Sequence, residues 1–467
     1  MSETRVEEST LEEAVARFLV GFSLKDVDAG ALTAVKALLK DQLACQIGAV
    51  RLPWSQDLRS SLRKPRPGSS SVIAESTRMD AADAAYLNAS YGHGFEYDDV
   101  ASNGHPGCSV VPTAIAIGEE IGATLGQVVE AIVAGYEVYA RIGRLAAPDL
   151  VNAGWHAHAV LGNFGSAAAA ARMHGLDAER ALHTLAIALS HASGTTEYTA
   201  SGGSIKRVHA GIAARNGIES VGLARAGITG PSRYLTGRKG FFQTFIRRPA
   251  VDADAIAAFE PGQRLRINDA WLKAYCCCGA HHGYIEAMER VQHRAAEIVA
   301  VDAYVQTMTA ALGDNPHAQT HGPRNIEELQ FSLALQMALA ALGKGNGNAT
   351  HRAFLEGKLF IPEDSDVVQF ARRIKVQRSA ELDRRYPYNF VAEVAVHYSD
   401  GTTQKIFIES AKGMPGNPFT PQEHRRKLDD LTHEVIGVER AEELFVLIEQ
   451  LDPSRPVTDL TALLRRD

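Results

Sequence analysis

Residues 112–145 read PTAIAIGEEIGATLGQVVEAIVAGYEVYARIGRL. Apolar residues recur through this stretch at every third or fourth position, the period of one helical face. The pattern breaks near Gly122–Gly126, so two helices are predicted here. Alanine and glycine recur on the apolar faces. Small side chains let helix axes approach closely, which predicts a tight helical bundle. Outward from this stretch the same period continues. Leu11–Val20 and Ala31–Ile47 lie before it; the alanine run Ala167–Arg172 and the amphipathic Ala178–Leu189 lie after it.

After about Gln263 the texture changes. Ile298–Met308 is rich in valine, threonine and tyrosine, which suits a strand. Asn325–Leu342 reads as a helix and Ile374–Gln377 as a short strand. Phe390–Tyr398 and Gln404–Ile408 flank Ser399-Asp400-Gly401, a strong hairpin signal. This part is predicted to form a smaller α/β unit. Thr420–Leu451 is helical again and is expected to return to the first bundle.

The bulk numbers agree with that division. A chain of 467 residues exceeds what one core usually covers, so two domains are expected. Hydrophobic residues make up 45% and charged residues 22%, as in ordinary globular proteins. Net charge is −7 and the pI about 6.2. That balance argues against nucleic acid or an anionic membrane as partner. No run reaches the ~18 apolar residues that span a bilayer. Met1–Glu13 is polar and acidic, without the pattern of a secretory signal. The five cysteines are Cys45, Cys108 and the run Cys276-Cys277-Cys278. Few thiols, odd in number, do not make a secreted disulfide framework, and a cytoplasmic location is expected.

Four clusters carry the reactive side chains. The first is His93-Gly94-Phe95-Glu96-Tyr97-Asp98-Asp99, followed by His105-Pro106. Three carboxylates so close repel unless a cation is near or one is protonated; Asp98, Asp99 and His105 form either an acid–base set or a pair of helix caps. The second is Trp155-His156-Ala157-His158. Histidine exchanges protons near neutral pH, and no carboxylate stands at metal-ligand spacing beside this pair. The third is Gly202-Gly203-Ser204-Ile205-Lys206-Arg207-Val208-His209, a glycine turn with two cations that suits a carboxylate or phosphate without the spacing of a Walker loop or a dinucleotide fingerprint. The fourth is Lys273-Ala274-Tyr275-Cys276-Cys277-Cys278 with His281-His282. Adjacent cysteines diverge and rarely share one zinc ion, so Lys273 and His282 are its better candidates and no metal is expected.

Taken together and in order, these clusters resemble the MmgE/PrpD family. The matching stretches are Phe95–Asp99 with His105-Pro106, Trp155-His156 leading into Gly165–Ala169, Gly202–His209 around Lys206, Lys273-Ala274-Tyr275 with Cys277-Cys278 and His282, and then Tyr386-Pro387, Val394–Gly401 and Lys412-Gly413. They span nearly the whole chain. The resemblance implies a mainly α fold: a large all-helical domain of residues 1–268 and 410–467, with a smaller α/β lid of 269–409. It implies a homodimer, a cleft between the domains, and catalysis without metal or organic cofactor. Carried across, Asp98, His105, His156 and Lys206 are the expected catalytic residues. Tyr97, Asp99, His209, Lys273, Tyr275 and His282 are expected to line the substrate. The implied reaction is proton removal or delivery beside a carboxylate of a small polycarboxylic acid. The lysines would hold carboxylates and the developing negative charge, a histidine would move the proton, and Asp98 would orient it. A dehydratase is the simplest expectation. An epimerase of a dicarboxylate such as iminodisuccinate, a cis-aconitate-type decarboxylase, or a non-catalytic polycarboxylate binder would use the same groups. The chain also departs from the family pattern. Glu96 stands where aspartate is common, Val100 where threonine is frequent, and Ser332 about where some members have a functional tyrosine.

Overall fold

The computed structural model describes residues 9–248, 253–386 and 390–466; the first residues of the acidic N-terminal stretch and Pro387 lie outside that set. The interruption expected at Gly122–Gly126 separates helices Gly107–Ile121 and Leu125–Ala146. Gly122 caps the first in a left-handed conformation (φ +67°), and Thr124 opens the second with a capping box closed by Gln127. Leu125–Ala146 and His209–Arg225 both pack on Ala157–Met173, and Ala81–Gly92 packs on Gly107–Ile121 and His209–Arg225. The alanine run explains this close assembly. Ala167, Ala168, Ala169 and Ala170 are fully buried at the centre, where a larger side chain would push the neighbouring axes apart.

The C-terminal segment forms Pro421–Ile436 and Val438–Gln450, divided at Gly437, and both helices pack on Ala29–Ala49. Val457 N–H donates to the Ala123 carbonyl (2.9 Å) and Leu125 N–H to that of Arg455 (2.8 Å), so the chain end also meets the Gly122 turn.

The fold is mainly helical with a smaller α/β region, as expected. Its four-stranded sheet has the order Ile374–Arg378, Ile298–Val305, Ala392–Tyr398, Thr403–Ile408. The first pair is parallel and the other two are antiparallel. The hairpin expected around Asp400-Gly401 closes with Ala392 opposite Ile408 and His397 opposite Thr403. Two expected elements are shorter. The strand from Ile298 ends at Val305, and a helix starts at Thr307. The helix expected over 325–342 is two, Ile326–Gln330 and Leu333–Ala341. Ser332 caps the second, its Oγ accepting from Leu335 N–H (3.3 Å), and a capping serine competes with helix continuation.

A small antiparallel ladder matters most for the site. Asp99 pairs with Leu272 and Val100 with Trp271, which joins the loop after helix Ala81–Gly92 to the segment carrying Lys273. Among the described residues no helix is long and apolar enough to cross a membrane.

Candidate active site

Helix ends deliver most of the reactive groups. His93 is the C-cap of Ala81–Gly92. The chain then turns through Glu96, whose φ is +58°, and enters the Asp99–Val100 strand. Asp98 lies just before one strand of the ladder and Lys273 just after the other. His156 occupies the N-cap of Ala157–Met173 without a side-chain capping bond; its N–H is held by the Gly194 carbonyl (3.0 Å), and its ring is free to face the interior. Lys206 and Arg207 sit in the 3₁₀ turn Ser204–Val208 that leads into His209–Arg225.

These groups meet in one buried cluster. Asp98 Oδ2 lies 2.8 Å from His93 Nδ1 and 3.6 Å from His105 Nδ1, so its close partner is His93. His105 Nδ1 is 2.8 Å from the Asp99 carbonyl oxygen. An oxygen of that kind only accepts, so Nδ1 carries the proton and Nε2 is the free base. His156 Nδ1 and His209 Nδ1 are 2.8 Å apart. The ring centroids of His93 and His156 are 5.8 Å apart, and those of His156 and Tyr198 5.5 Å. On the cationic side, Lys273 Nζ donates to Glu96 Oε2 (2.9 Å) and stands 3.5 Å from Asp98 Oδ1. Lys206 Nζ pairs with Glu96 Oε1. Arg207 reaches Glu96 Oε1 at 3.4 Å and the Gln330 side-chain oxygen at 2.6 Å. The Phe331 ring lies 5.9 Å from Lys206 Nζ.

Burial governs the protonation states. It pushes the His93 and His156 imidazoles well below their usual range, and neighbouring Lys206 and His209 respectively push the same way. His105 and His209 fall to about 4 and His158 to about 3, again chiefly by burial. The buried imidazoles therefore favour their neutral form at pH 7. Burial alone would raise Asp98, but His105, Lys273 and His158 outweigh it and hold the carboxyl below its usual value. Burial also pushes Lys206 down, with Lys273 and Arg207 beside it. Neutral bases, one carboxylate and a lysine pair suit proton transfer next to a bound anion.

Not every expected site residue lies in this cluster. Asp99 faces the helix core: its Oδ2 accepts from Tyr136 Oη (2.9 Å) and Gly107 N–H (3.3 Å), although the N-cap of the Gly107–Ile121 helix is Pro106. Tyr97 packs its ring under Lys427 (4.2 Å). Tyr275 donates to Glu289 Oε2 (2.7 Å). His282 is buried between the Trp271 and Tyr275 rings (5.5 and 5.1 Å). Asp98, His105, His156, Lys206, His209 and Lys273 are brought together. The reading of single residues missed His93 as the partner of Asp98, Glu96 as the shared anion, and Tyr198. The first two stand in the quoted first cluster, whereas nothing near Tyr198 marks it. In the cysteine run, Cys276 Sγ donates to the Phe95 carbonyl (2.8 Å), and burial pushes that thiol up to about 12 and raises Cys277 and Cys278 as well.

His93, Asp98 and His105 have potential ligand atoms within 4.8 Å of one another, a set that could hold one metal ion. The histidine Nδ1 atoms are engaged with Asp98 and the Asp99 carbonyl, which leaves the Nε2 atom of each ring to take a proton or an ion.

Comparison with known proteins extends over most of the chain. The MmgE/PrpD N-terminal domain matches residues 13–254 and the MmgE/PrpD C-terminal domain residues 275–452. A cis-aconitate decarboxylase of Aspergillus terreus (strain NIH 2624 / FGSC A1156) is 28% identical over 94% of this chain and 92% of its own length. The cis-aconitate decarboxylase-like protein oryM of Aspergillus oryzae is 28% identical over 94% of each chain. The human cis-aconitate decarboxylase is 24% identical over 83% of this chain and 80% of its own.

Proposed function

This chain belongs to the MmgE/PrpD family, and on that premise we propose that it is a lyase acting on a small polycarboxylic acid of the aconitate class. The observation that carries the reading is the buried Asp98–His93 pair set beside two lysines that already share one carboxylate. The lysine pair is thus a carboxylate site by virtue of its own occupant.

The full-length similarity to proteins named as cis-aconitate decarboxylases supports loss of carbon dioxide ahead of the loss of water expected first from sequence. In that reaction the bond between carbon and the departing carboxylate breaks. Its electron pair passes into the adjoining unsaturated carboxylate system, where Lys206 and Lys273 stabilise the charge. A histidine then places a proton on carbon. The neutral imidazoles can acquire that proton because a bound anion raises their pKa. Dehydration would use the same acid on a departing hydroxyl.

Proton NMR in deuterated buffer with cis-aconitate, citrate, methylcitrate and iminodisuccinate tests the proposal. Release of carbon dioxide with a deuterated C–H from cis-aconitate is the expected result. An alkene from citrate or methylcitrate would replace it with a dehydratase, and exchange at one carbon without elimination would replace it with an epimerase. We also propose a homodimer, as the family resemblance implies. Light scattering at the mass of one chain, 50.3 kDa, would overturn that.

A further inference from the structure

The chemistry above gives no task to Glu96, yet it is the most heavily engaged carboxylate in the site. Lys206, Lys273 and Arg207 all converge on it, and it is 1% exposed. Its backbone is in the left-handed region, which glutamate rarely adopts. The flanking backbone is pinned: the Phe95 carbonyl accepts from Gln330 Nε2 (3.1 Å) and Cys276 Sγ (2.8 Å), and the Tyr97 carbonyl accepts from Lys427 (2.7 Å). The carboxylate is therefore held in place by its side-chain partners, and a change of rotamer moves it without moving the loop.

Charge decides what a substrate meets here. The cations of the cluster are Lys206, Lys273 and Arg207. The anions facing them are Glu96, Asp98 and Glu327, the last 3.4 Å from Arg207 Nε. With these six groups in their ordinary ionised forms and the histidines neutral, the formal charges balance. Adding the several charges of a polycarboxylate to a balanced, buried cluster carries a large desolvation cost, and each of these three cations is already paired. Exchanging one carboxylate for another avoids much of that cost. We propose that Glu96 occupies, in the ligand-free protein, the subsite of one substrate carboxylate, and that the substrate displaces it on binding. Glu96 is then a specificity-determining residue, an internal competitor that weakens every anion unable to replace it at both lysines. The idea rests on reading Lys206 and Lys273 as the carboxylate site.

Calorimetric titration with tricarballylate tests it, because this saturated tricarboxylate has no double bond or hydroxyl to react. Glu96→Gln should bind it at least about 10-fold more tightly than the parent protein. Glu96→Asp keeps the charge but is one methylene too short to span both lysines, and should bind it more tightly by a smaller factor. Damage to the fold would weaken binding, so tighter binding separates competition from a structural role. If Glu96→Gln fails to fold, Glu96→Asp decides alone. A folded variant that binds no more tightly than the parent, while the parent turns over cis-aconitate, overturns the exchange and leaves the lyase reading standing. A parent that neither binds tricarballylate nor turns over any acid of the panel sinks both.

Discussion

Asp98 and Asp99 are neighbours in sequence with opposite environments. Asp98 faces two histidines and a lysine and stays ionised. Asp99 is pushed up to about 7 by burial and by Asp98 beside it, against the hydrogen bonds from Tyr136 and Gly107. Asp98→Asn keeps the shape but removes the charge that orients His93. Turnover should fall by roughly 10²–10⁴-fold, the range for loss of an acid–base partner, while tricarballylate binds at least as well because an anion has left the site. Parental turnover in the Asp98→Asn variant would remove Asp98 from the chemistry. Asp99→Asn acts on stability instead. A carboxyl whose folded pKa lies above its unfolded value favours folding at low pH, and this contribution is lost as pH rises from about 4 through about 7. Asparagine does not ionise, so urea unfolding at pH 5 and pH 8 should show the variant gaining on the parent at pH 8 by about 2–4 kcal/mol, at ~1.4 kcal/mol per unit. An identical gap at both pH values would mean that Asp99 is ionised in the fold throughout.

Among the elements, the helical parts were legible because their signals are local. The period of residues 112–145, the break near Gly122 and the Asp400-Gly401 turn all reappear in the structure. The break at Ser332 was hidden inside an apolar run, since a serine reads as a cap only when the chain actually turns there. The site was legible as residue types, because histidines, lysines and carboxylates cluster in the chain. Its pairings were not: Lys273 meets Glu96 across the Asp99–Leu272 ladder, which two strands of two residues each cannot announce. That ladder has a support of its own. Gly413 has φ +92°, and a Cβ on it would lie 1.9 Å from the Leu272 carbonyl oxygen; its own carbonyl accepts from Leu272 N–H (3.3 Å). Gly413→Ala combines a backbone clash with left-handed strain, which should cost about 2 kcal/mol or more in urea unfolding. Because Lys273 follows Leu272 directly, turnover should fall further than stability alone explains. Parental stability and turnover together would show that the turn relaxes freely.

Across the whole molecule, one side chain ties the C-terminal tail to the site. Lys427, on helix Pro421–Ile436, is 3% exposed at its side chain and lies 2.7 Å from Asp41 Oδ1 on helix Ala29–Ala49. It also donates to the Tyr97 carbonyl (2.7 Å), one residue before Asp98. Burial would raise Asp41, but Lys427 and His424 hold it below its usual value. Lys427→Met preserves much of the volume and removes the charge, leaving Asp41 with His424 at 3.3 Å and the Cys45 thiol at 3.9 Å. Stranding one member of a buried ion pair costs about 3–5 kcal/mol. The sign with pH follows from Asp41. A depressed carboxyl stabilises the fold above its unfolded pKa and loses that contribution as pH falls through the folded one. The gap between parent and variant in urea unfolding should therefore be full at pH 7 and shrink below about pH 4. Lys427→Met combined with Asp41→Asn should recover much of the loss at pH 7, because no charge is then left stranded. If the gap persists in acid and the double variant recovers nothing, the lysine acts through packing on the Tyr97 ring. If it behaves as expected but turnover stays low in the double variant, the bond to the Tyr97 carbonyl is what the tail contributes to the position of Asp98.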